Sequence, residues 1–162
     1  MDHDTYIKSV NDRLIIDGFE LSSDKIGDFK VGIGKKKEFR FKWVATQLQI
    51  FVIMSSVTNI SKDLIQWFSS VSLDYTLIYK KGLPRGLQSG AACFALLVST
   101  NVNEEAKKWV QQIPKKHFAA FEMPVICDLS NNQIYYCQKT PILGGIYYKF
   151  FREFICKNFR VI

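Results

Sequence analysis

The feature that most constrains this chain is an unbroken apolar run at residues 91–98, which reads Ala-Ala-Cys-Phe-Ala-Leu-Leu-Val. The glycine-containing residues 82–90 precede the run, and the polar residues 99–101 follow it. A strand with one face in solvent would show a polar residue at about every second position. This run shows none. It therefore predicts a central strand of a sheet that helices cover on both faces.

The length and composition of the chain predict one folded unit. A chain of 162 residues can bury a hydrophobic core without disulfides or metals. Because 48% of the residues are hydrophobic, global disorder is excluded. The sequence contains no internal repeat and no linker long enough to separate two units. We therefore expect a single globular domain over residues 1–162.

The positive charge of the chain lies in its later part. The formal net charge is +7, yet residues 1–28 hold seven acids and three bases, so the residues after 28 carry +11. This asymmetry indicates either an anionic partner for the later part or an acidic N-terminal helix that packs against a basic body.

The sequence favours a cytoplasmic protein with reduced thiols. Residues 1–4 are acidic, whereas a secretory signal is basic and then apolar. The longest apolar runs, 50–54 and 91–98, are too short to span a membrane. The four cysteines show no C-x-x-C spacing. One pair, Cys127 and Cys137, would face each other across a hairpin, so a disulfide there is left open.

No metal or cofactor is expected. The two histidines, His3 and His117, lie far from any paired cysteines, so the sequence shows no zinc pattern. The glycine-containing loop that holds Arg85 has neither G-x-x-x-x-G-K-[ST] nor G-x-G-x-x-G, and it precedes a strand instead of following one. We therefore interpret this loop as a helix–strand connection.

In the first half of the chain, the pattern predicts a helix followed by three strands and a second helix. Tyr6, Val10 and Leu14 have helical spacing. Alternating residues predict strands at 29–33 and 39–43, joined by a turn at 34–37, and a third strand at 48–54. Ser61 is suited to cap a helix that reaches at least residue 73.

The second half continues with the strand at 91–98, a short helix after Asn103, and strands at 118–129 and 134–138 around the Asn131-Asn132 turn. Gly144-Gly145 opens a C-terminal helix with a wide aromatic face. The predicted order is α-β-β-β-α-β-α-β-β-α. We expect an α/β or α+β fold with one mixed sheet of about six strands, in which strands 48–54 and 91–98 are parallel.

The acids of strand 118–129 are the first candidates for chemistry. Glu122 and Asp128 share a strand face with apolar residues. Pro124 lacks an N–H and indicates an edge or bulged strand, so we interpret both acids as solvent-facing. The alternative is a tuned general base. No nucleophile is paired with a base in the sequence, and a Cys93–His117 pair has no local support.

The order helix, three strands, helix, strand at residues 1–100 resembles the PD-(D/E)-x-K nuclease-like core. The third strand of such enzymes carries E-x-K, in which the acid binds the metal and the lysine assists the attack. Here Val52 and Met54 occupy those positions, and Asp28 and Glu38 are the acids near the earlier strands. The resemblance implies a catalytically degenerate nuclease-like domain.

The strongest functional signal is a set of basic clusters on the predicted hairpin at 29–43, near residues 107–116 and on the last helix. Cations beside aromatic rings suit nucleic acid, because they contact phosphates and bases respectively. The leading hypothesis is a non-enzymatic binding protein for an anionic partner, nucleic acid first. The predicted anion-binding residues are Lys35, Lys36, Lys37, Arg40, Lys42, Arg85, Lys115 and Lys116.

Two alternatives belong to other functional classes. One is an enzyme with a small-molecule site at the sheet edge around residues 99–101, Arg85 and Glu122. The other is a structural subunit that uses its aromatic surplus as a homo-oligomer interface. A pocket that encloses Glu122 beside a cation would favour the enzyme, and an apolar outer face on the last helix would favour the oligomer.

Overall fold

The computed structural model describes residues 1–40, 46–82, 89–142 and 144–161. Within these ranges the chain forms one mixed sheet of seven strands and four helices, an α+β fold in the predicted order with one short strand, β5, added. The elements are α1 (His3–Ile16), β1 (Glu20–Ile26), β2 (Phe29–Phe39), β3 (Gln47–Ser56), α2 (Lys62–Tyr79), β4 (Ser89–Ser99), α3 (Glu104–Val110), β5 (Lys116–His117), β6 (Ala120–Asp128), β7 (Gln133–Tyr135) and α4 (Gly145–Phe159).

The strands are arranged in the order β1-β2-β3-β4-β6-β5, and β7 also pairs with β6. The pairs β1–β2 and β2–β3 are antiparallel, whereas β3–β4 and β4–β6 are parallel. The predicted parallel crossover from β3 through α2 to β4 is confirmed. Strand β4 is buried at all of its 11 positions, as the apolar run predicts.

The predicted turn at 34–37 is wrong, because β2 runs without a break through these residues. The hairpin turn lies instead at Gly27-Asp28, where Gly27 has a φ of 58°. Gly34 lies within β2 and forms no turn, but neighbouring side chains pack closely against it. A Cβ there would lie 3.3 Å from Phe19 and 3.4 Å from Leu14. The exposed polar residues of β1 carried no strand signal, since β1 is an edge strand.

Helices α1 and α4 cover one face of the sheet, and α2 and α3 cover the other. The first face holds the aromatic core, in which Phe94 of β4 contacts the rings of Phe151, Phe154 and Phe159. The hydroxyl of Tyr6 donates to the carbonyl of Phe159 at 2.6 Å and ties α1 to the end of α4. The predicted aromatic face of the C-terminal helix is confirmed.

Helix α2 continues through Tyr79 and buries Phe68 together with small polar side chains. Trp67 is 40% exposed, whereas the buried positions include Ser69, Ser72 and Thr76. Small side chains at this spacing let the helix lie close to β4. The face of α2 that packs on the sheet is therefore partly polar, which the apolar pattern did not indicate.

Strand β6 lies inside the sheet, so the interpretation of an edge strand with solvent-facing acids is wrong. β6 pairs with β4 along its length, with β5 at its start and with β7 at its end. Pro124 lies between the segments that β5 and β7 cover. The Asn131-Asn132 turn is confirmed, and Asn132 has a φ of 52°. All four cysteines are free, so no disulfide joins Cys127 to Cys137.

Candidate functional site

The lysine run of β2 is divided between the two faces of the sheet, because successive side chains of a strand point to opposite sides. Lys36 lies on the α1/α4 face, where its Nζ is 3.2 Å from Glu38. Arg40 also contacts Glu38 at 3.2 Å, and its guanidinium lies 4.6 Å from the centre of the Phe150 ring. The single carboxylate of Glu38 therefore neutralises part of the predicted cluster.

Lys35 and Lys37 lie on the opposite face, at the C-terminal end of α2. The Nζ of Lys35 is 5.4 Å from the ring centre of Phe51 and 5.3 Å from that of Tyr79. Cation–π contacts of this kind hold an ammonium group without neutralising its charge. Lys37 is exposed. Both ammonium groups are therefore available to an anion.

A third lysine joins this pair through a backbone contact that the sequence did not reveal. The Lys81 N–H donates to Gln49 Oε1 at 2.9 Å, and Gln49 Nε2 donates to the Lys81 carbonyl. Gln49 is buried in β3, so it fixes the residue that follows the end of α2 against the sheet. Lys81 was not among the predicted residues.

Together, these side chains line a depression that we call the basic groove, defined by Lys35, Lys37, Gln49, Tyr79 and Lys81. It has a volume of about 570 Å³. Lys36 also reaches its rim, and Glu20 is the one carboxylate among its lining residues in the described part of the chain. The groove therefore carries an excess of positive charge.

Among the described residues, the predicted clusters on β2 and at residues 115–116 do not form one continuous surface. The pairing register puts Lys116 at the same level of the sheet as Lys36, but strands β3, β4 and β6 lie between β2 and β5. At the usual strand spacing, the two backbones are roughly 19 Å apart. Lys115 lies beside Lys116 and lines another cavity. The predicted residues Lys42 and Arg85 lie outside the described residues.

That other cavity, the Glu122 cleft, is bounded by α2, by α3 and the residues that follow it, and by β5 and β6, and it has a volume of about 630 Å³. Glu122 is 7% exposed and lines it. Ser69 Oγ donates to Glu122 Oε1 at 2.7 Å, and His117 Nε2 lies 2.8 Å from Oε2. Lys115 is the lysine among the lining residues of the cleft. This Ser69–Glu122–His117 contact joins α2, β6 and β5, and the sequence did not predict it.

The carboxyl ends of the parallel strands are occupied by internal hydrogen bonds. Ser99 is fully buried and donates to the Thr58 carbonyl at 3.0 Å. Asp128 accepts hydrogen bonds from Ser130 and Asn131 and lies 3.0 Å from Lys107 Nζ. This edge lies six residues along β6 from Glu122, roughly 20 Å away. The structure thus separates residues 99–101 from Glu122, and the predicted edge site is not assembled.

Asp128 predicts a pH dependence of stability. Burial raises the pKa of its carboxyl, but hydrogen bonds from Ser130, Lys107 and Asn131 outweigh burial and lower the pKa from 3.8 to about 2. A lowered folded-state pKa stabilises the protein above pH 3.8, and this stabilisation disappears as the pH falls through about 2. We expect the free energy of unfolding to fall by roughly 2 kcal/mol between about pH 4 and pH 2 from this group. Urea denaturation of the wild type and of Asp128→Asn across this pH range measures the loss. An equal decrease of the free energy of unfolding with pH in both proteins would contradict the prediction.

The two positions that correspond to the acid and the lysine of E-x-K carry no ionisable group in this chain. Val52 and Met54 are buried in the apolar core on the α1/α4 face. Asp28 lies in the β1–β2 turn, and Glu38 is paired with Lys36 and Arg40. The resemblance therefore rests on the order of the elements alone.

Within the described ranges, no three His, Cys, Asp or Glu side chains lie together as metal ligands would. No helix in these ranges has the length and hydropathy needed to cross a membrane. Comparison of the chain with protein-family models, with curated proteins and with solved structures finds no match. Cytoplasmic location and the absence of a cofactor stay predictions.

Proposed function

We propose that this protein binds single-stranded nucleic acid through the basic groove, as a non-enzymatic binding protein. The observation that carries the proposal is the convergence of Lys35, Lys37 and Lys81 on one concave surface. Each lysine offers a compact positive charge that a phosphate attracts. A local groove with three lysines suits a short segment of backbone, whereas a long duplex needs a continuous basic track.

The aromatic residue of the groove supports a single strand over a free phosphate. The ring of Tyr79 is 48% exposed beside Lys35 and lies 4.3 Å from the ring centre of Tyr75. An exposed ring beside cations gives an unpaired base a surface for stacking, and a base-paired duplex does not offer that face.

Of the other functional classes, the oligomer subunit receives the least support. The outer face of α4 carries Lys149, Glu153 and Lys157, so the described part of this helix presents charge where an oligomer interface would need an apolar patch. The Glu122 cleft supports the small-molecule alternative, because both Glu122 and Lys115 line it. This cleft lies apart from the basic groove.

Fluorescence anisotropy with a labelled single strand of about ten nucleotides tests the proposal. Three phosphate contacts predict that log K falls with log salt with a slope of about −2, which is a loss of roughly 20-fold between about 50 and 200 mM salt. In the Lys35→Gln, Lys37→Gln, Lys81→Gln variant we expect the slope to approach zero and binding to weaken by about 10-fold or more.

The matched control removes three exposed lysines elsewhere, as Lys8→Gln, Lys62→Gln and Lys108→Gln. It has the same net charge as the groove variant. Equal loss of binding in both variants would show that general charge, and not the groove, attracts the strand. Absence of binding at low salt would overturn the proposal, and tighter binding of a duplex would reassign the partner.

A further inference from the structure

The Glu122 cleft holds a buried carboxylate whose two oxygens are already oriented. Ser69 Oγ contacts Oε1 at 2.7 Å, and His117 Nε2 contacts Oε2 at 2.8 Å. Each carboxylate oxygen can accept a second hydrogen bond. Because Glu122 lines the cleft, a ligand there would meet a carboxylate whose plane these two contacts fix.

The backbone that carries this pair is tightly constrained. β5 and β6 are joined by a two-residue turn, since His117 pairs with Ala120. Ala119 in that turn has a φ of 47°, a left-handed conformation that residues other than glycine seldom adopt. Its carbonyl accepts a hydrogen bond from Ala91 N at 3.1 Å, and a Cβ on Gly90 would lie 3.2 Å from that carbonyl oxygen. The turn is therefore held against β4, and strain of this kind concentrates at functional sites.

The cleft has a mixed lining in which two tryptophan rings and three other apolar side chains lie among polar ones. Trp67 and Trp109 line it from α2 and α3, and Pro124 lies beside Glu122. The Trp67 ring packs on Phe29 with ring centres 5.4 Å apart, which fixes its position. Aromatic walls around a few polar groups are typical of small-molecule sites.

We propose that the Glu122 cleft binds a flat nitrogen heterocycle that presents two N–H donors along one edge, as guanine does. The Glu122 carboxylate accepts both donors, and Ser69 and His117 are positioning residues that orient it. A charged acceptor forms strong hydrogen bonds, so the carboxylate favours ligands with two donors over ligands with one. This site is independent of the basic groove, since a heterocycle without phosphate needs none of the groove lysines.

Guanosine is the probe, and quenching of tryptophan fluorescence is the measurement, because two of the three tryptophans line the cleft. We expect saturable quenching by guanosine. Inosine, which lacks the exocyclic amine, should bind about 10-fold more weakly, since one charge-assisted hydrogen bond is lost. Absence of quenching by guanosine, or equal binding of inosine, would overturn the proposal.

Glu122→Gln replaces one acceptor by a donor and should weaken guanosine binding by about 10-fold or more. Glu105→Gln, at an exposed position of α3, is the matched control and should bind as the wild type does.

If Glu122→Gln fails to fold, Ser70→Phe tests the site without changing the carboxylate. Ser70 is exposed and lines the cleft, so the larger side chain should block binding while the protein stays folded. Unchanged binding in Ser70→Phe would contradict the assignment.

The heterocycle has two sources, a free nucleoside or a base within a strand. A five-nucleotide strand with one guanosine, compared with free guanosine, separates them. Tighter binding of the strand than of guanosine, lost when the guanosine of the strand is replaced by another nucleoside, identifies nucleic acid. Equal binding of the strand and of guanosine identifies the nucleoside, and either result supports the site. A strand that binds equally well with and without its guanosine, while free guanosine does not bind, would overturn it and leave the basic groove as the nucleic-acid site.

Discussion

Replacing Phe94 by alanine is expected to lower the free energy of unfolding by about 4 kcal/mol, the largest effect of any single truncation proposed here. Phe94 is fully buried in the central strand β4. Its ring centre lies 4.6 Å from that of Phe154, 5.6 Å from that of Phe151 and 6.2 Å from that of Phe159. The cavity left by the ring would lie between β4 and α4, where packed aromatic neighbours cannot collapse into it without losing their own contacts.

Urea denaturation followed by tryptophan fluorescence measures this loss as a lower midpoint with an unchanged dependence on urea. Phe118→Ala is the matched control, because that ring is 73% exposed. Its free energy of unfolding should stay within about 0.5 kcal/mol of the wild type. A loss below about 1 kcal/mol in Phe94→Ala would contradict the central position of this ring.

Replacing Asp128 by asparagine is expected to cost about 3 kcal/mol at neutral pH. Asp128 is 1% exposed, and its Oδ2 receives hydrogen bonds from Asn131 Nδ2 at 2.7 Å and Lys107 Nζ at 3.0 Å. An amide nitrogen in place of Oδ2 would face two donors, and the reversed amide would turn its nitrogen toward the donors of Ser130. Lys107, which is 8% exposed, would keep only its contact with the exposed carboxylate of Glu104 at 2.9 Å.

Glu153→Gln is the control for this prediction. Glu153 contacts Lys149 at 3.9 Å, but both side chains are exposed, and such pairs contribute little. Its replacement should change the free energy of unfolding by less than about 0.5 kcal/mol. A Lys107→Met change should cost less in the Asp128→Asn background than in the wild type, since the two residues interact directly. Equal costs in both backgrounds would show that the ion pair does not stabilise the fold.

Local sequence patterns were sufficient wherever one element determines its own form. The apolar run at 91–98 predicts β4 because a strand buried on both faces needs no polar position. The Asn131-Asn132 turn was predictable because asparagine tolerates the positive φ seen at Asn132. The aromatic face of α4 follows from helical spacing.

Local patterns predicted the wrong structure where one residue type is compatible with two different structures. Gly34 and the lysines after it look like a turn, yet Gly34 is small because Leu14 and Phe19 approach it. Pro124 indicates an edge strand, yet β6 is interior, because its two outer partners leave the proline uncovered between them. In both cases a distant element decided which structure formed.

The sequence by itself determined the order of helices and strands, the central position of β4 and the positive charge of the later part of the chain. The tertiary structure alone decided which charges meet. Strand alternation sends Lys36 to Glu38 and leaves Lys35 and Lys37 on the face that Lys81 joins. The packing of α2 on the sheet likewise brings Ser69 to Glu122, 53 residues away. The physical reason is that helix and strand patterns arise from neighbours along the chain, whereas a site requires contacts that exist only once strand order and register are set.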